Sequence, residues 1–284
     1  MTEEAQIRRQ KLERLQALGV DVFPKVSHRD TTCEQAHMLF ANNETEGKTV
    51  ILAGRVMTIR VHGGMMFADL QDATGKLQLA FKEDEIGIET FERFRDLIDP
   101  GDFVEATGTL FVTKRGEKSC QVQSWRILTK ALLPLPEKWH GLKDIEVRYR
   151  HRELDLLSNP EIRERFVLRS RLVSSMRRFL DERGFMEVET PILHSLAGGA
   201  NARPFITHHN ALNADFYLRI ATELHLKRLV VGGFEKVYEI GRCFRNEGID
   251  PTHNPEFTMI ELYWAFAGKE IMLGFLEEMM TFMV

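Results

Sequence analysis

The chain has 284 residues, enough for two domains with a core in each. Its 43% hydrophobic and 28% charged residues, with 20 Gly and 9 Pro, are those of an ordinary globular protein and exclude collagen, a coiled coil and a disordered tail. Lys and Arg number 38 against 42 Asp and Glu, a net charge of -4, so no global field draws the chain to nucleic acid or an anionic membrane, and a polyanionic partner must be held locally.

Cys33, Cys120 and Cys243 are odd in number, widely spaced and free of any CxxC pair, which indicates neither a disulfide framework nor a zinc knuckle and suits a reducing, cytoplasmic setting. The first 14 residues carry Glu3, Glu4, Arg8, Arg9, Lys11 and Arg14 without an apolar run, and no later stretch approaches the roughly 18 apolar residues of a membrane span. A soluble protein without targeting segment or membrane partner is expected.

In chain order, residues 4–18 read as a charged helix with Ile7, Leu12, Leu15 and Leu18 as its apolar stripe, ended by Gly19. Five β-rich runs follow at 49–61, 65–70, 76–81, 102–113 and 119–128. Asp72-Ala73-Thr74-Gly75 and Arg115-Gly116 supply hairpin turns, and a helix over 88–98, apolar at Phe91, Phe94 and Leu97, separates the third strand from the fourth. That is the plan of an OB barrel, which binds oligonucleotides on one face, and equally of a small structural barrel. Basic and acidic residues each number 12 between Lys48 and Lys130, so such a domain grips bases by stacking and hydrogen bonds more than by phosphate charge.

Pro134, Pro136 and Gly141 mark a linker, dividing the chain into residues 1–135 and 136–284. Beyond it, Pro160 opens a helix apolar at Ile162, Phe166, Leu172, Met176, Phe179 and Leu180, with Gly184 past its end. An extended stretch at 186–192, a small-residue loop at 197–200, strands at 205–208 and 216–220, a helix at 223–231 and strands at 236–245 and 256–266 complete an α+β pattern. Residues 271–284 end within an apolar face, so a truncated second domain is expected.

Several short motifs do not hold. Gly47-Lys48-Thr49 lacks the first P-loop glycine, which would fall at Asn42. His151-Arg152-Glu153-Leu154 has Glu where a kinase base is Asp. His208 and His209 point to opposite faces of a strand, which disfavours a metal site.

Gly241-Arg242-Cys243-Phe244-Arg245-Asn246-Glu247-Gly248, then His253-Asn254-Pro255-Glu256-Phe257-Thr258, then Glu261 and Tyr263, differ in kind. Strand alternation sets Phe257, Glu261 and Tyr263 on one face. An aromatic plane holds a purine by stacking, a carboxylate beside a phenol accepts hydrogen bonds from an ammonium group, and the Arg245 guanidinium suits phosphate oxygens bidentately. Any one of these residues fits a surface hairpin laced by ion pairs; their joint pattern does not.

These segments resemble motif 2 of the class II aminoacyl-tRNA synthetases, and in particular of the lysyl enzymes. Gly184-Phe185-Met186-Glu187-Val188-Glu189-Thr190-Pro191 resembles motif 1, and Gly198-Gly199-Ala200 with Ala202-Arg203-Pro204-Phe205-Ile206-Thr207-His208-His209-Asn210 is similar to a stretch distinctive of lysyl enzymes. The resemblance implies a five-stranded OB-fold anticodon-binding domain with an N-terminal helix (1–135), then an incomplete class II catalytic domain built on an antiparallel sheet (136–284). It implies ATP-dependent activation of lysine to lysyl-adenylate and transfer to the 3′ end of tRNA(Lys) by a cytoplasmic homodimer, with Pro191 at the dimer interface.

By the same resemblance Arg245 holds the α-phosphate of ATP and is catalytic, Glu247 meets the adenine amino group, Phe257 stacks on adenine, and His253 and Asn254 line the ATP pocket. Glu261 and Tyr263 receive the lysine ε-ammonium, while Gly199 and Glu223 hold the α-amino end. Arg60, Phe67, Gln78 and Glu117 read the anticodon, with Phe67 as stacking platform. Glu153, Asn201, Thr222 and His225 depart from the family pattern. A third motif, with the carboxylates that bind Mg²⁺, is absent from the chain, so low adenylation activity is expected of it. A non-catalytic tRNA-binding paralogue is the alternative, and an aspartyl or asparaginyl enzyme is disfavoured by Glu261 and Tyr263, which suit a cationic amino acid.

Overall fold

A computed structural model describes residues 2–45, 47–135 and 144–283, which group into two compact units, Met1–Asn159 and Pro160–Val284. Pro136 and Gly141 of the expected linker lie outside the described residues.

The first unit opens with α1 (Glu3–Ala17), capped by the Thr2 hydroxyl, which accepts from the Ala5 N–H. Its inward stripe is Ala5, Arg8, Leu12 and Leu15, whereas Ile7 and Leu18, expected on it, are exposed. The difference lies with Arg8, which is buried: its guanidinium donates to the Pro100 carbonyl at 3.0 Å and pairs with Glu4, so its stem packs like an apolar side chain. Helix α2 (Cys33–Ala41) adds to the predicted elements, and its start is written in the sequence: the Thr32 hydroxyl accepts from the Gln35 N–H and the Gln35 side chain accepts from the Thr32 N–H.

Then come β1 (Thr49–His62), β2 (Met65–Gln71), β3 (Lys76–Lys82), α3 (Glu83–Ile86), α4 (Ile88–Leu97), β4 (Phe103–Val112) and β5 (Lys118–Thr129). The strands close on themselves in the order β1-β2-β3-β5-β4, antiparallel except for β3 with β5. Strand alternation sends Leu52, Val56, Met66, Leu70, Leu79, Phe81, Val104 and Val122 into the core, each burial contributing about 1.5–3 kcal/mol. Helix α4 supplies Phe94, whose ring lies 4.3 Å from Phe81 and 4.9 Å from Trp125. Short helices α5 (Ile145–Arg150) and α6 (Arg152–Ser158) end the unit, joined by Arg148 of α5 on the buried Asp155 of α6, which Arg152 also holds from within α6.

The second unit runs α7 (Pro160–Asp181), β6 (Met186–Glu187), β7 (Leu193–His194), β8 (Ile206–His209), β9 (Ala214–Leu218), α8 (Glu223–Val231), β10 (Lys236–Phe244), β11 (Glu256–Trp264) and α9 (Lys269–Met283). Its main sheet has the order β11-β10-β6, with β10 and β11 antiparallel and β6 parallel to β10; β7, β9 and β8 form a second small sheet. One face of the main sheet, with Tyr238, Ile240, Ile260 and Leu262, packs on Phe179 and Leu180 of α7 and Phe275 and Met279 of α9. The opposite face pairs Glu239 with Glu261, Gly241 with Met259 and Cys243 with Phe257. Core burial on one side thus leaves the other side of the same strands for chemistry.

Candidate active site and nucleic-acid face

The register places Tyr263, Glu261 and Phe257 in a row on the sheet face opposite the aromatic core. Tyr263 donates its hydroxyl to Glu261 Oε1 at 2.7 Å. Burial first, then the hydrogen bond to Glu261 and its charge, push the Tyr263 phenol well above its ordinary value, so it stays protonated and donates. The other oxygen, Glu261 Oε2, accepts from the Thr222 hydroxyl at 2.7 Å and lies 3.3 Å from the Thr222 N–H.

Gly199 and Glu223 meet beside this carboxylate. Gly199 has φ +88°, and a Cβ there would come within 3.2 Å of the Cβ atoms of both Ala221 and Glu223, so only glycine lets the 197–200 loop lie so close to the start of α8. Glu223 pairs with Lys227 one turn on, and the Lys227 ammonium stands 5.9 Å from the Tyr263 ring centroid. His225 lies against His194, ring centroids 4.6 Å apart, and His194 Nε2 meets the Pro191 carbonyl at 2.9 Å.

At the far end of the row the Arg245 guanidinium lies 5.0 Å from the Phe257 ring centroid. The backbone holds it there, since the Arg245 N–H donates to the Pro255 carbonyl at 2.8 Å. Arg245 Nε is buried and takes no hydrogen bond among the described residues, so the guanidinium keeps donor capacity for an anion. Arg203 anchors the next turn: its carbonyl accepts from the Asn246 N–H at 2.7 Å and its N–H donates to Glu247 Oε1 at 3.3 Å.

His253 and Asn254 sit apart in character, on an exposed turn. His253 Nδ1 engages Asp250 at 2.8 Å, and the Thr252 backbone and hydroxyl together with His253 hold the Asp250 carboxyl at about 2. Pro191 is exposed, next to the exposed Ile192 and Leu193.

Sequence reasoning did not find the buried triad beneath the site. Arg219 Nη1 pairs with Glu239 and donates to the Thr190 carbonyl at 3.1 Å, its Nε donates to the Arg242 carbonyl at 2.7 Å, and the Thr190 hydroxyl donates to the other Glu239 oxygen at 2.6 Å. A Cβ at position 241 would come within 2.2 Å of Arg219 Nη2, so Gly241 is what lets this guanidinium lie across the sheet. No sequence signal marks the triad, because 29 positions separate Thr190 from Arg219.

In the first unit, Arg60, Phe67 and Gln78 lie on the outer face of the strand ring: Arg60 is opposite Phe67, and Gln78 is opposite Asp69. The Arg60 guanidinium bridges both Asp69 oxygens, at 3.1 and 3.0 Å. Gln78 accepts from the Ser119 hydroxyl at 3.0 Å, and the Ser119 hydroxyl also lies 3.3 Å from the Glu117 carbonyl, in the turn that enters β5. Phe67 is thus a half-buried ring whose cross-strand neighbour is an oriented guanidinium, a surface of the kind on which a base can stack.

The strand ring, and the sheet that carries arginine, phenylalanine, glutamate and tyrosine on one side, are the arrangement that the resemblance to class II aminoacyl-tRNA synthetases implies. The chain belongs to that family: residues 144–284 match the tRNA synthetases class II (D, K and N), and residues 50–128 match the OB-fold nucleic acid binding domain. Among its relatives are the lysine–tRNA ligase of Moorella thermoacetica, 53% identical over 279 residues covering 97% of this chain and 56% of that protein, and that of Clostridium perfringens, 53% identical over 282 residues covering 99% and 56%. The lysine–tRNA ligase of Halalkalibacterium halodurans is 54% identical over 266 residues, 92% of this chain and 53% of that protein. The chain therefore spans a little over half the length of these relatives.

Among the described residues no group of three or more His, Cys, Asp and Glu side chains gathers as a metal site, and no helix is long and apolar enough to cross a membrane.

Proposed function

We propose that the chain serves lysine–tRNA ligation: activation of lysine by ATP, then transfer of the lysyl group to tRNA(Lys). The observation that carries this reading is the Glu261 carboxylate held by the Tyr263 hydroxyl, in one row with Phe257 and the Arg245 guanidinium. A half-buried carboxylate between neutral donors suits a primary ammonium group, and an arginine over an aromatic ring suits a nucleotide.

In the first step the lysine carboxylate attacks the α-phosphorus of ATP and pyrophosphate leaves. Arg245 holds the α-phosphate and stabilises charge that builds on its oxygens, Phe257 stacks on adenine, Glu247 accepts from the adenine amino group, and His253 and Asn254 border the nucleotide. Glu261 and Tyr263 bind the ε-ammonium, and Gly199 with Glu223 holds the α-amino end, so the reacting carboxylate points toward Arg245. Magnesium would supply charge neutralisation of the phosphates, although no group of three or more His, Cys, Asp and Glu side chains gathers among the described residues to hold it. In the second step the terminal ribose hydroxyl of tRNA attacks the lysyl carbonyl and AMP leaves. Arg60, Phe67, Gln78 and Glu117 read the anticodon, the exposed apolar run at Pro191 meets a second copy in a homodimer, and three buried unpaired cysteines suit the cytoplasm.

The test is ATP–pyrophosphate exchange with each amino acid in turn, using the full-length protein. Exchange that depends on lysine is expected. Silence with every amino acid, with anticodon stem-loop binding retained, would replace this reading with a non-catalytic RNA-binding one.

A further inference from the structure

Thr222 occupies the N-cap position of α8, a helix of nine residues, yet its side chain caps nothing. A threonine there ordinarily accepts from an N–H of the first turn. Here the backbone is helical at φ -95°, ψ -9°, and the hydroxyl instead donates to Glu261 Oε2 at 2.7 Å, with its own N–H 3.3 Å from the same oxygen. Tyr263 holds Oε1. The two carboxylate oxygens are thus gripped separately, by donors from two segments 39 positions apart in one case and two in the other. Thr222 is 1% exposed, so water does not replace its hydroxyl when that is removed.

We infer that Thr222 is a positioning and specificity-determining residue: it sets where Glu261 stands, and so which length of alkyl-ammonium side chain the site accepts. This rests on the reading of Glu261 as the ammonium acceptor. Tyr263 alone leaves the carboxylate free to swing about its bond to Oε1. With Thr222 on the second oxygen the acceptor is fixed at one distance from the α8 start, where Gly199 and Glu223 lie, and a shorter diamino acid cannot reach both ends.

The experiment compares Thr222→Val, which keeps the shape and loses the hydroxyl, with Thr222→Ser, which keeps the hydroxyl, in the full-length protein, reading exchange kinetics for lysine and ornithine. Thr222→Val is expected to raise the lysine KM about tenfold with the ATP KM unchanged, and to narrow the preference for lysine over ornithine. Thr222→Ser should restore both. Glu261→Gln, measured alongside, separates the two levels of the argument. If it leaves the lysine KM untouched, Glu261 is not the acceptor and the inference falls with that reading. If Glu261→Gln raises it and Thr222→Val does not, the inference alone is wrong. Parallel rises in the ATP and lysine KM of Thr222→Val would show a merely structural role and also overturn it. Thr222→Ala takes the place of Thr222→Val should the latter not fold, with the same expectations.

Discussion

Arg245 and Gly241 show how differently single residues bear on one sheet face. The Arg245 guanidinium lies against Phe257 with a buried Nε that takes no hydrogen bond among the described residues. Arg245→Ala is expected to slow lysine-dependent exchange by about 10²–10³-fold, and Arg245→Lys to recover little, because a point charge cannot bridge two phosphate oxygens as a planar fork does. Steady-state exchange rates decide this. Gly241 touches no proposed substrate, yet Gly241→Ala would drive a Cβ into Arg219 Nη2 and within 3.1 Å of Glu239 Oε1. The buried ion pair would have to shift, so a loss of about 1–3 kcal/mol is expected in the thermal unfolding of the second unit. An unchanged melting temperature would mean that Arg219 has room to move.

At the scale of elements, helix α2 and strand β4 each depend on a small polar device. Thr32→Ala removes half of the α2 capping box and should cost about 1 kcal/mol, read from chemical denaturation. Glu105 on β4 is opposed by burial, but bonds from Arg126, the Ser27 hydroxyl and the His28 N–H prevail and lower its carboxyl from 4.5 to about 2. A depressed acid contributes stability that is present above its unfolded value and is lost as protons bind. The first unit should therefore lose stability between pH 4.5 and about 2, and Glu105→Gln should flatten that part of the curve. The β1–β2 pair carries Phe67, the proposed stacking residue, and Phe67→Ala is expected to cost about 1–3 kcal/mol in binding an anticodon stem-loop, by fluorescence titration. The inward stripe of α1 keeps Leu12 and Leu15 but departs from the predicted Ile7 and Leu18 for a reason of the same kind: pattern rules class arginine as outward, whereas Arg8 finds the Pro100 and Ala131 carbonyls and turns inward.

For the molecule as a whole, charge balance and local order in the chain made much legible in advance. The five strands, the intervening α4 and the run from Gly241 to Tyr263 follow from alternation, turn residues and motif spacing, all set by residues close together in the chain. The grouping of Phe257, Glu261 and Tyr263 on one face was available for the same reason, since a strand repeats every two residues. What it took the folded molecule to decide was which distant segments meet. Thr222 on Glu261, Arg219 and Thr190 on Glu239, and Arg203 on Glu247 are contacts across 39, 20, 49 and 44 positions. No periodicity encodes such pairings. They exist because closing the sheet over the α7 and α9 core brings those loops to its other face, and buried polar groups there must find partners.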